Sequence, residues 1–135
     1  MAYKVNAIEG VGEEYAAKLN ELGIKYAEDL LEASRTPAQR KLLAEKTGIE
    51  PKLILKWANH TDLFRIHGIG PQYAEFFEIA GVDTVKELSH RVPENLLAKL
   101  EAVNAEKQLT KRVPALKELR RYVAEAKKLK PILEY

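Results

Sequence analysis

The chain has 135 residues, 46% hydrophobic and 31% charged, a balance that excludes a disordered chain and fits one compact domain able to bury a core. It has no cysteine, which excludes disulfides, thiolate metal sites and cysteine nucleophiles. The opening MAYKVNAIEG lacks the basic flank and apolar stretch of a secretory signal, and no apolar run reaches the roughly 20 residues of a membrane span. A cytoplasmic protein with no membrane role is therefore expected. The formal net charge of +2 conceals a segmentation. Residues 1–34 hold 3 Lys/Arg against 7 Asp/Glu and residues 35–65 hold 7 against 3, while residues 66–103 hold 3 against 6 and residues 104–135 hold 9 against 4. Such basic segments are able to meet a polyanion even in a chain that is nearly neutral as a whole.

Helical periodicity dominates from the first turn, and nothing alternates with period two long enough for a sheet, so an all-α fold is expected. In chain order, a short helix is predicted around Val5 to Ile8, then helices near 13–22, 27–33, 37–46 and 51–58. Tyr15, Ala16, Leu19 and Leu22 fall on one face of the 13–22 helix, and Gly23 stops it. Thr36, followed by Pro37 and by Gln39 three residues on, has the spacing of a helix cap. Pro51 marks another first turn, and Trp57, on the face of Leu53 and Ile54, reads as a core anchor. The stretch WANHTDLFRI carries apolar residues throughout, with no Gly/Ser linker.

The second half repeats the series near 61–66, 71–80, 84–91 and 93–102, with Thr84 and Glu87 in cap spacing and Pro93 at a first turn. A last stretch begins at about 105 and is mostly one long helix from Pro114 to about Lys130. The repetition is written in the residues: IEGVGEEYAAKLNELGI recurs 58 positions later as IHGIGPQYAEFFEIAGV. Ile8, Gly10, Gly12, Tyr15, Ala16 and Gly23 match Ile66, Gly68, Gly70, Tyr73, Ala74 and Gly81. Two pseudo-symmetric halves are expected, residues 1–59 and 60–135, sharing one core as one compact domain and ending in a long amphipathic helix.

Two helices joined by apolar-x-Gly-aliphatic-Gly, with an alanine four residues on, resemble the helix-hairpin-helix motif of DNA repair and recombination proteins. The match is clearest over residues 5–22 and 63–80. The whole arrangement, including RKLLAEKTGIEPKLILKWANHTDLFRIHGIG, is similar to a bacterial family of tandem helix-hairpin-helix proteins of unassigned function. The resemblance implies phosphate binding through loop amides, aided by a nearby Lys or Arg and largely independent of base sequence. The physics agrees: a turn bare of side chains lets the backbone approach a phosphate, and the amides opening the next helix are unpaired donors at its positive end.

The two copies differ in charge. Gly10, Val11 and Gly12 are flanked by Glu9, Glu13 and Glu14, so the first hairpin reads as a structural turn whose acids favour the helix N-terminus that follows. The second has Arg65 and His67 beside Gly68, Ile69 and Gly70, then Pro71 and the neutral Gln72, and reads as the better phosphate site. The other basic candidate is the last helix. At about 100° per residue, Lys117, Arg120, Arg121, Lys127 and Lys128 share an arc of roughly 120°, opposite Leu116, Leu119, Val123 and Ala126.

Asp83 and Lys86 invite comparison with the glycosylases that carry a helix-hairpin-helix, but the first copy holds Lys25 and Ala27 at Asp83 and Val85, and Asp83 sits where a helix cap is expected. His60, His67 and His90 have no metal-ligand spacing. No enzyme, metal, cofactor or small-molecule substrate is expected. Two functions remain open: sequence-independent nucleic-acid binding, to DNA first of all, or a protein-interaction or scaffolding module that meets another chain or a second copy.

Overall fold

A computed structural model describes residues 3–135. Among the described residues there are eight α-helices, one 3₁₀ turn at Val5–Ala7 and no strand, so the protein is all-α. The extended stretches contribute one isolated antiparallel bridge, between Lys4 and Tyr26. The chain divides into two compact units, Met1–Asp62 with Ile132–Tyr135, and Leu63–Pro131.

In the first unit the 3₁₀ turn is followed by α1 (Glu13–Glu21), α2 (Ala27–Ala33), α3 (Pro37–Thr47) and α4 (Pro51–Leu63). Thr36 caps α3 as its spacing predicts: its Oγ1 accepts from the Gln39 amide at 3.1 Å, and the Gln39 side chain accepts from the Thr36 amide at 3.1 Å. Two otherwise unpaired donors are met in this way. Leu22, expected on the buried face, is 42% exposed, because α1 ends at Glu21 and the chain turns away there. Trp57 is fully buried and tilts against Tyr15 with ring centroids 5.2 Å apart.

One element differs from expectation. Residues 61–66 do not form a separate helix, because α4 runs unbroken from Pro51 to Leu63. No Gly or Pro interrupts WANHTDL, and its polar residues are taken inside; Thr61 Oγ1 donates to the Ala58 carbonyl at 2.7 Å, so its burial leaves no donor unmet.

The second unit contains α5 (Pro71–Ile79), α6 (Val85–Ser89), α7 (Pro93–Lys107) and α8 (Leu116–Lys128). α8 packs on α6 and α7, and α5 packs on α7. Thr84 caps α6 by accepting from the Glu87 amide at 3.1 Å. α7 runs five residues past its expected end and stops at Gln108, whose φ of 51° is left-handed. Its backbone takes the conformation that a glycine more often supplies at a helix end. α8 starts at Leu116 rather than Pro114, because Glu118 accepts from the Ala115 amide at 3.0 Å and fixes the entry there. No helix of the described residues is long and apolar enough to cross a membrane.

Candidate nucleic-acid interface

The second hairpin is a tight turn built on two aliphatic anchors. Ile66 and Ile69 are buried, the Ile66 amide donates to the Leu63 carbonyl at 3.0 Å, and the Ile69 amide donates to the Ile66 carbonyl at 3.1 Å. Between them Gly68 turns with φ +102°, a conformation that a side chain strains. Gly70 is the extended N-cap of α5, and no side chain caps the helix. Pro71 has no amide to offer, so the Gln72 and Tyr73 amides at the positive end of the helix have no intrahelical acceptor.

α8 lies directly on this turn. A Cβ built on Gly68 would stand 2.9 Å from Tyr122 Oη and 3.1 Å from Arg121 Nη2, so the glycine is needed for space as well as for its φ. Tyr122 Oη donates to the Gly68 carbonyl at 3.4 Å, and the Phe77 ring meets the Tyr122 ring at 6.2 Å. Glu125 Oε1 accepts from the His67 amide at 3.0 Å and stands 3.8 Å from Arg121 Nη1. Arg121 also lies over the Tyr122 ring, 4.9 Å from its centroid. The second hairpin and the basic helix are two candidates in the sequence, and here they are one surface of one unit.

The other predicted residues divide by what they touch. Lys117, Arg120, Lys127 and Lys128 are exposed on α8, and Arg120 Nη2 stands 3.5 Å from Glu94 Oε2. His67 is exposed, whereas Ile69 is buried and its amide is spent on the Ile66 carbonyl. Arg65 Nη2 donates to the Lys130 carbonyl at 2.6 Å, holding the chain where it leaves α8. Gln72 Nε2 donates to the Leu109 carbonyl at 3.0 Å.

That last bond exposes a part of the site that sequence reading missed, the loop between α7 and α8. Tyr73 Oη donates to the Arg112 carbonyl at 2.9 Å, and Asn104 exchanges two 3.0 Å hydrogen bonds with the Thr110 backbone. The loop is thereby fixed beside the first turn of α5, around a shallow depression of about 370 Å³ lined by Gln72, Asn104, Gln108 and Lys111. Arg112 and Glu118 pair through two contacts of 2.7 and 3.2 Å. The Arg112 hydrogen bond, then the Ala115 amide, hold the Glu118 carboxyl down at about 2. Burial raises the Tyr73 and Tyr122 phenols above their ordinary value, so both are neutral donors at neutral pH. The spacing of Glu118, Tyr122 and Glu125 on one face of α8 is legible in the sequence, but the Gly68 and His67 partners of Tyr122 and Glu125 lie more than 50 residues away and carry no local signal.

The first hairpin has the same backbone in a different setting. Gly10 turns with φ +91°, Gly12 is the extended N-cap of α1, and the Val11 amide donates to the Ile8 carbonyl at 3.0 Å. A Cβ on Gly10 would stand 3.4 Å from Trp57 Nε1, an indole nitrogen buried without a hydrogen-bond partner. Glu9, Glu13 and Glu14 are exposed around it, and residues 6–12 line a depression of about 430 Å³. Carboxylates at that rim complement the helix end and repel a phosphate.

No curated protein and no solved structure matches this chain. The chain belongs to the family of the domain of unknown function DUF4332, which matches it over residues 9–129.

Proposed function

We propose that this chain is a non-catalytic, cytoplasmic tandem helix-hairpin-helix module that binds nucleic acid, DNA first of all, through phosphate contacts made by its second half. The observation that carries the reading is the Arg121 guanidinium at Gly68, which makes the open turn and the cationic face of α8 continuous. Uncapped amides and nearby cations suit a phosphate, and contacts of that kind position a protein on a duplex without reading bases. The first turn, with Glu9, Glu13 and Glu14 at its rim, repels a phosphate and takes no part in the binding.

The test is a titration against duplex and single-stranded DNA at several salt concentrations. Three to five neutralised phosphates give a loss of about one and a half to three decades in affinity between 50 and 200 mM salt, alike for unrelated sequences. A wild-type protein that binds neither DNA nor RNA at 50 mM salt ends this reading.

The second reading, an interaction module, has its own observation. Leu22 and Leu42, 42% and 50% exposed, border an apolar groove of about 280 Å³ in the first unit with Ile24, Ala33 and Leu43. If nucleic-acid binding fails, that groove and the acidic hairpin are where a protein partner is to be sought.

A further inference from the structure

In the first unit, Ile132–Tyr135 docks with no helix of its own. The Glu134 amide donates to the Arg35 carbonyl at 2.7 Å, and the Glu134 carbonyl accepts from Arg40 Nη2 at 2.6 Å. Leu133 is buried against Leu31 and Ala58. Tyr135 Oη donates to Asn59 Oδ1 at 2.6 Å, and the Arg40 guanidinium lies over its ring at 5.6 Å.

Arg40 decides what this seat requires. It is only 7% exposed, and its Nη1 is spent on the Ser34 and Arg35 carbonyls at 2.8 and 3.2 Å. Losing the Glu134 carbonyl would leave a charged donor buried and unmet, which is among the costlier defects of a folded chain. The remaining contacts are those by which a surface reads an extended peptide: main-chain bonds for affinity, a leucine pocket and an aromatic rest for specificity. None of them requires the peptide to belong to the same chain. α8 ends at Lys128 and Leu129 is already extended, so releasing the segment unwinds no helix.

We propose that α2, α3 and α4 form a peptide-recognition seat for a Leu-x-aromatic segment, and that Ile132–Tyr135 of a second copy of this chain fills it in trans when the chain's own segment leaves. The inference does not depend on nucleic-acid binding.

The probe is a labelled peptide with the sequence of residues 129–135, LKPILEY, titrated against the full-length Leu133→Asp/Tyr135→Ala variant, whose own segment no longer fits. Saturable binding is expected. It should be at least about tenfold weaker to the wild-type chain, where the tethered segment competes at a local concentration on the millimolar scale. A peptide with aspartate in place of its leucine should not bind. A variant that is folded by circular dichroism yet ignores the peptide at about 1 mM overturns the proposal, as does equal binding of the aspartate peptide. Should the variant not fold, hydrogen exchange of the wild-type chain decides. The Glu134 amide should exchange faster than the Leu30 amide, and faster still with peptide in excess. Protection of Glu134 equal to that of Leu30 and unmoved by peptide overturns the proposal equally.

Discussion

At Gly10 a side chain would point toward an indole nitrogen, and at Gly68 into a phenol and a guanidinium. The two turns share left-handed glycines with φ of +91° and +102° and extended N-cap glycines two residues later. What separates them is the helix behind each. Trp57 of α4 closes the first turn with a fully buried ring and brings no charge to the surface. Tyr122 of α8 closes the second with a buried ring, and the residue before it in sequence, Arg121, is left 48% exposed beside the glycine. The same backbone device is thus ringed by carboxylates in one place and set beside a guanidinium in the other.

The sharpest test of this comparison is to remove the backing ring. Trp57→Ala and Tyr122→Ala should each cost roughly 3–5 kcal/mol in urea-induced unfolding, since each empties a large buried volume. A loss below about 1 kcal/mol at either position would show that its ring does not close its turn. Next in size, Gly68→Ala should cost roughly 2–3 kcal/mol and Gly10→Ala roughly 1–2. Both carry the backbone strain, but only the first also drives a Cβ within 2.9 Å of Tyr122 Oη. Equal losses would place the whole cost in φ and remove the steric contrast.

Charge changes at the two turns should separate them by binding. Arg121→Glu should weaken DNA binding about five- to tenfold at 50 mM salt and flatten the salt dependence by about one phosphate's worth. Glu13→Gln on the first turn should leave affinity unchanged or slightly higher. If both changes act equally, the hairpins are not specialised. The smallest expected effect concerns the loop of the second unit. Glu118 is held at about 2 against an ordinary 4.5, a lowered carboxyl, so its pairing with Arg112 contributes fully above the ordinary value and is lost as pH falls toward 2. Wild type and Glu118→Gln should therefore differ slightly in melting temperature at pH 6, and the difference should close between pH 4.5 and 2. A difference independent of pH would assign Glu118 to capping Ala115 by shape alone.

Much of this was legible because it is local. Helix caps at Thr36 and Thr84, the stops at Gly23 and Gly81 and the apolar stripe of α8 depend on neighbours within four residues, and the chain displays them directly. The errors came where tertiary burial overrode local cues. Two helices are expected at 51–58 and 61–66, yet α4 continues through His60 to Asp62 because those side chains are taken inside. The site divides along the same line. The cationic residues of the second hairpin and of α8 can be named from the sequence, but that Arg121 meets Gly68 and that the loop after α7 reaches α5 are contacts between distant segments, which no periodicity encodes.

Three of the bonds that hold that loop have a common polarity, and a fourth, from the Thr110 amide to Asn104 Oδ1, also uses only the loop's main chain. Gln72, Tyr73 and Asn104 are the donors, standing on α5 and α7, and the acceptors are the main-chain carbonyls of Leu109, Arg112 and Thr110. A carbonyl is present whatever residue carries it. The loop's path is therefore encoded mainly in the helices, and the side chain of Lys111, which takes no part in these bonds, can be exchanged for another with little penalty to folding. Beside the most cationic of the described helices lies a position where the surface charge can change while the scaffold stays as it is, a freedom that the buried core does not have.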